Sequence, residues 1–167
     1  MSRSGYSEDC DNLNLYRANV ERVLKSKRGQ AFLRELAEQM DAMPEKALIA
    51  DELISATGDC CTMGVVCKSR GLDASKIDYE DPESVAKHLG INHMMAAEIA
   101  YMNDEYEWRS ESPEQRWLRM RKWVAEQSGA VAPGGGGGFS SGNTSDEEKR
   151  PNSVLNEPKS DNQTHEP

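Results

Sequence analysis

The stretch from Asp81 to Met102, DPESVAKHLGINHMMAAEIAYM, decides the fold class of this chain. Asp81-Pro82 is typical of a helix N-cap followed by the first helical residue, where proline loses no hydrogen bond. Gly90 can end that helix in the left-handed conformation, and Asn92 can cap the next one. Apolar residues recur at helical spacing in both halves: Val85, Ala86 and Leu89, then Met95, Ile99 and Met102. The stretch therefore predicts two helices joined by a tight turn.

The same periodicity continues upstream. Apolar stripes predict a first helix that Gly29 breaks or bends, and a second helix that Pro44 stops. Further stripes predict helices over residues 46–57 and 60–70, although 47–50 alone would also fit a short strand. These segments add at least four helices to the two above.

Downstream, Ser112-Pro113-Glu114-Gln115 is a capping box with proline at the first helical position, and it opens the last helix. Gly71 is well placed as a left-handed cap, and Gly64 indicates a close helix–helix contact. No alternating strand pattern occurs. The sequence therefore predicts an all-α fold, a single compact domain of six to seven short helices with a disordered C-terminal tail.

Composition divides the 167 residues into three parts. Residues 1–12 are small and polar and are interpreted as an N-terminal arm. Residues 13–128 carry the apolar stripes and form the predicted helical domain. Residues 129–167 hold five consecutive glycines and mostly polar or acidic side chains, so they cannot bury enough apolar surface to offset the entropy of ordering. That last part is the predicted disordered tail.

The charge and the cysteines indicate which kinds of partner and which cellular compartment to expect. A formal net charge of −9 argues against a broad electropositive surface for nucleic acid. No apolar signal-peptide core follows Met1, and no run of 18 apolar residues occurs, so no membrane partner is expected. The cysteines are then expected to be reduced thiols in the cytoplasm.

Residues 84–99 have the layout of a helix-turn-helix, with glycine in the turn. Such a unit reads DNA through side chains at the start of its second helix. Here those positions hold Asn92, His93, Met94 and Ala96, and Glu98 would repel the phosphate backbone. The segment is interpreted either as a degenerate helix-turn-helix or as two helices packed through a tight turn.

Two basic clusters are candidates for phosphate binding or for solvated helix faces. One lies at the end of the first helix and the other interleaves with tryptophans on the last helix. Their members are Arg22, Lys25, Lys27 and Arg28, and then Arg116, Arg119, Arg121 and Lys122.

Neither metal binding nor catalysis is predicted. The cysteines Cys60, Cys61 and Cys67 lack the paired C-x2-C spacing of a structural zinc site. No nucleophile elbow, phosphate-cradling loop or HExxH motif occurs. The chain is therefore expected not to be an enzyme and to need no cofactor. The acidic segment 103–107 is interpreted either as a turn that could bind a cation or steer a partner, or as a solvated interhelical loop.

Several strings resemble a group of short, uncharacterised proteins encoded by phages and prophages of proteobacteria. The matching strings include residues 2–7, 28–35, 48–50, 97–99, 103–105 and 112–117. They span most of residues 2–124, and the glycine-rich tail lies outside them. The resemblance implies a phage or prophage origin and action inside the bacterial host cytoplasm. It implies no activity and no site residue.

Together these observations predict a non-enzymatic accessory protein that binds a host macromolecule, most simply a protein. The alternative is a DNA-binding regulator that uses residues 84–99. Charge reversal at Arg116 and Arg119 is expected to weaken partner binding without unfolding the domain. The expected partner-binding residues are Arg3, Tyr6, Asn103, Asp104, Glu105, Arg116, Arg119 and Lys122.

Overall fold

The computed structural model of the chain describes residues 13–106 and 111–129. Within these ranges the all-α prediction is confirmed, because they hold six α-helices, one short 3-10 turn and no strand. The predicted arm and nearly all of the predicted tail lie outside the described residues. The helices are α1 (Leu13–Lys25), α2 (Lys27–Ala42), α3 (Thr62–Ser69), α4 (Pro82–Leu89), α5 (His93–Asp104) and α6 (Pro113–Ser128).

Two helices organise the core. α5 packs against α1, α3, α4 and α6, and α2 packs against α1, α3 and α6. The fully buried side chains Met95 and Ile99 lie on α5, and Leu33, Leu36 and Met40 lie on α2. The described residues belong to one compact unit. None of their helices is both long and apolar enough to cross a bilayer.

The predicted helix ends around α4, α5 and α6 are confirmed. The Asp81 carboxylate accepts hydrogen bonds from the first backbone N–H groups of α4, and Gly90 closes that helix at φ 69°. Asn92 caps α5 in the same way. Ser112 and Gln115 form the reciprocal capping box of α6. Local signals alone therefore define these ends.

The predicted break at Gly29 is misplaced. The chain turns instead at Ser26, whose hydroxyl accepts a hydrogen bond from the Gly29 N–H over 3.0 Å and caps α2. Gly29 lies inside α2, directly against the backbone at the end of α1. A Cβ atom there would lie 2.3 Å from the carbonyl oxygen of Val23. The glycine is needed for this close approach rather than for the turn.

The predicted helix over residues 46–57 is wrong. That segment is irregular, with an isolated antiparallel bridge between Ile54 and Cys60. Its backbone bonds to other segments: the Leu48 N–H donates to the Pro113 carbonyl and the Ile49 N–H to the Cys60 carbonyl, each over 3.0 Å. These bonds replace the intrahelical ones, so tertiary structure overrides the local helical pattern.

The close contact predicted at Gly64 exists, but its partner is this irregular segment rather than a helix. A Cβ atom at Gly64 would lie 1.8 Å from the backbone carbonyl oxygen of Leu53. The same Leu53 carbonyl accepts a hydrogen bond from the Cys61 N–H over 3.0 Å. Gly64 thus lets α3 lie directly against the backbone of the irregular segment.

Candidate functional site

The first two residues of the acidic segment 103–107, which was predicted to be a turn or a solvated loop, are buried helix. Asn103 and Asp104 form the last residues of α5 and are 1% and 8% exposed. Glu105 follows the helix as its C-cap and is half-buried, and Tyr106 is exposed. The surface predicted at 103–105 is therefore wrong for its first two residues.

The Asn103 side chain joins three elements. Its amide nitrogen donates to the Ile49 carbonyl over 2.9 Å. Its oxygen accepts from the backbone N–H and the hydroxyl of Thr62, over 3.1 and 2.6 Å. The neighbouring Asp104 carboxylate accepts from the backbone N–H of Asp51, which adopts a left-handed φ of 66°. These bonds attach the irregular segment to α5 and to the start of α3.

Arg116 and Arg119 do not form an exposed basic face. Arg116 is 8% exposed, and its Nη1 donates to the Leu48 carbonyl over 3.0 Å. Arg119 makes two hydrogen bonds of 2.8 Å to the Glu111 carboxylate and also donates to the carbonyl of Met102. Both side chains, which were predicted to bind a partner, hold α6 against the rest of the domain.

The remaining predicted residues differ in their placement. Lys122 is exposed, with a side chain 76% accessible and a 3.9 Å approach to Glu126 on its own helix. Arg3 and Tyr6 lie outside the described residues. Arg121 is buried and pairs with Asp41 on α2 over 2.8 Å. The second basic cluster is therefore mostly internal. All four members of the first cluster, at the α1–α2 junction, are exposed: Arg22, Lys25, Lys27 and Arg28.

The predicted helix-turn-helix corresponds to α4, the turn at Gly90 and α5. The two helices pack closely together, as either interpretation of this segment requires. Only Asn92 and His93 are exposed at the start of α5, whereas Ala96 and Ala97 are buried. A recognition helix contacts base edges through the residues at its start, so these residues must be accessible to the major groove. α5 instead lies between four other helices.

The cysteines near α3 are buried and are poor nucleophiles. Burial raises the pKa of the Cys60 thiol and raises the pKa of the Cys67 thiol to about 12. Both are therefore protonated at neutral pH, and the thiolate is the reactive form. Among the described residues, no group of histidine, cysteine or carboxylate side chains is arranged to hold a metal ion.

An open cleft of about 480 Å³ lies between the end of α2, the irregular segment, α3 and the start of α6. We call it the α2–α3 cleft. Its apolar lining comes from Ala42, Met43, Pro44, Ala47, Ile49, Val65 and Pro113. The buried bonds at Leu48, Ile49 and Asn103 hold one of its walls in place. A concave apolar surface of this size is suited to binding a side chain or a short segment of a partner.

The rim of the α2–α3 cleft is acidic. Glu45, Asp59 and Glu114 are exposed there. The one ammonium group in the lining belongs to Lys68, and its Nζ donates to the Gly58 carbonyl over 2.8 Å. The rim thus holds three carboxylates and one cation, so its electrostatic potential is negative. The net negative charge of the whole chain makes this potential more negative.

Sequence reasoning missed this cleft because its walls come from four separate segments. The Met43-Pro44 dipeptide marks the point where the chain leaves α2, but nothing local indicates that Ala47 and Ile49 face a cavity. The prediction of a helix over 46–57 also excluded an irregular segment there, and that irregular segment forms one wall of the cleft.

No protein-family model, curated protein or solved structure matches the chain.

Proposed function

We propose that the chain is a non-enzymatic accessory protein, of phage or prophage origin, that binds a host protein in the bacterial cytoplasm. The observation that carries the proposal is the α2–α3 cleft, with its apolar lining and acidic rim. The origin and the compartment rest on the resemblance in sequence to phage and prophage proteins. Burial raises the pKa of the Cys60 thiol in the cleft, which disfavours the nucleophilic thiolate.

The partner segment is expected to be apolar and basic. Met43, Ile49 and Val65 offer apolar surface to a leucine-sized or aromatic side chain. Glu45, Asp59 and Glu114 would attract lysine or arginine residues on either side of that anchor. The same carboxylates would repel a phosphate backbone, which favours a protein over a nucleic acid at this cleft.

The alternative of a DNA-binding regulator has less support. It requires α5 to enter a DNA groove, and burial leaves few side chains at its start to contact bases. The exposed basic cluster at the α1–α2 junction is the surface that could contact phosphates. This alternative is an outcome of the experiment below.

The test compares variants of the full chain in a pull-down from a proteobacterial lysate, with and without nuclease. Ala47→Arg fills the cleft, and Glu45→Lys reverses the charge of an exposed rim residue. Glu52→Lys is the matched control, because Glu52 is exposed on the same segment but outside the cleft. The proposal expects a discrete protein that survives nuclease, is lost with both cleft variants and is retained with Glu52→Lys.

Two results would contradict the proposal. Equal capture of the same protein by all three variants would remove the cleft as its binding surface. Recovery of nucleic acid alone, abolished by nuclease, would favour the DNA-binding alternative. In that case Arg22, Lys27 and Arg28 would be the first residues to replace.

A further inference from the structure

A second cleft, of about 330 Å³, lies between α1, α5 and the end of α6. We call it the α1–α5 cleft. Its lining combines two carboxylates, an arginine, a glutamine, two tyrosines and apolar side chains, and it shares no residue with the α2–α3 cleft. Arg17, Glu98, Tyr101, Met102 and Tyr106 are among the residues that line it.

The Glu98 carboxylate is the unusual group in this cleft. Its Oε2 atom is buried and has no hydrogen-bond partner. Burial raises the pKa of this carboxyl, and the charge of Arg17 offsets the rise only in part. No ion pair within 4.0 Å joins Arg17 to Glu98. A buried acceptor without a partner is costly. Because Oε2 has almost no accessible surface, a ligand in the cleft reaches it only when the Glu98 side chain turns toward the opening.

The neighbours of Glu98 define which ligand would fit. Tyr101 lies three residues further along α5, and residues at that spacing share one face of a helix. Met102 adds apolar surface at the next position of the same face. Tyr106, an exposed aromatic ring, lines the same cleft and already lies 5.9 Å from the guanidinium of Arg119. Aromatic faces and a carboxylate together favour a flat organic cation over a hydrated metal ion.

We propose that the α1–α5 cleft binds a guanidinium group, with Glu98 accepting its hydrogen bonds and the tyrosine rings covering its face. A guanidinium can bond both carboxylate oxygens at once and can stack on a ring, whereas an ammonium group acts as a point charge. The apolar surface of Met102 suits the alkyl stem that carries the group. Arg17 acts as a competing cation at the edge of the cleft. The proposal does not depend on the α2–α3 cleft, so the two can fail separately.

The experiment is a titration of the full chain followed by NMR signals of the cleft tyrosines and of the Met102 methyl group. The probes are a blocked Gly-Arg-Gly tripeptide and agmatine, with the blocked Gly-citrulline-Gly tripeptide as the neutral isostere. Saturable binding of either arginine-type probe, at least tenfold tighter than citrulline, is expected. Binding of the tripeptide would identify an arginine side chain of a partner as the source, and binding of agmatine alone would identify a free guanidine.

Three variants separate this site from a general electrostatic effect. Glu98→Gln is expected to abolish binding, and it should fold because it removes a buried charge without changing shape. Arg17→Gln should tighten binding two- to fivefold by removing the competing cation. Glu83→Gln, on the exposed side of α4, should leave affinity unchanged. Equal affinity of citrulline and arginine, retention of binding in Glu98→Gln, weaker binding in Arg17→Gln or the absence of saturable binding would each overturn the proposal.

Discussion

Arg116 on α6 donates a hydrogen bond of 3.0 Å to the backbone carbonyl of Leu48, a residue 68 positions earlier in the chain. The bond is buried at both ends, because Leu48 is fully buried and Arg116 nearly so. It satisfies a carbonyl that a helix would have satisfied internally. The irregular segment and the wall of the α2–α3 cleft therefore depend on an arginine of the last helix.

Replacing Arg116 by glutamate should unfold or strongly destabilise the domain. The change removes the bond to Leu48 and brings a second carboxylate beside Glu111, whose Oε2 lies 3.7 Å from the Arg116 Nε. Disruption of a buried charged group in this way costs about 3–5 kcal/mol. Urea denaturation measures the loss, with Lys122→Glu as the exposed control on the same helix. Equal stability of the two variants would mean that Arg116 is a surface residue, as the sequence alone suggests.

Asn103 and Thr62 should be energetically coupled. Asn103→Ala leaves the buried N–H and hydroxyl of Thr62 without their acceptor, and we expect a loss of roughly 2–3 kcal/mol. Thr62→Val should cost less, because the Asn103 amide keeps its bond to Ile49. In a double-mutant cycle followed by urea denaturation, a coupling energy of roughly 1 kcal/mol is expected. Additive effects of the two substitutions would contradict the shared hydrogen bond.

Gly64→Ala should destabilise the domain, although helix propensity alone predicts that it stabilises. Alanine inside a helix normally stabilises by about 1 kcal/mol relative to glycine. At Gly64 the new Cβ atom would lie 1.8 Å from the Leu53 carbonyl, so we expect a loss of roughly 3 kcal/mol from overpacking. Gly71→Ala is the comparison, since that site has open space but a φ of +65° and should lose about 1–2 kcal/mol. A stabilised Gly64→Ala variant would show that α3 does not contact this backbone.

Sequence reasoning succeeded where the structure depends on neighbours in the chain. The caps at Asp81, Asn92 and Ser112 and the left-handed residue at Gly90 are local chemistry, and all four lie where the pattern predicts. The segment 46–57 failed for the opposite reason. Its apolar spacing is helical, but its backbone bonds go to Pro113 and Cys60 and to the side chains of Asn103 and Arg116. Those partners are distant in sequence.

The candidate sites were harder to predict than the fold. A charged residue on a predicted helix is usually solvated, and that rule placed Arg116, Arg119 and Asp104 on the surface. The structure buries them because each has a specific acceptor or donor in another segment. Glu98 did carry a local signal. It lies three residues after Met95 and four before Met102, on the apolar stripe of α5, where an ionised side chain is unexpected.

The ion pair between Asp41 and Arg121 should make stability depend on pH in the acid range. The hydrogen bond from Arg121 lowers the pKa of the Asp41 carboxyl below its ordinary value of 3.8. A depressed folded-state pKa means that the pair stabilises the fold above the unfolded-state pKa. Its contribution is then lost as the pH falls through the lower, folded-state value.

Asp41→Asn should therefore destabilise the domain at pH 7, and the difference in stability from the wild type should shrink toward pH 3. Thermal melting between these limits measures it, with Glu38→Gln as an exposed control on α2. A difference that stays constant with pH would show that Asp41 acts through its shape and neutral hydrogen bonds rather than through its charge.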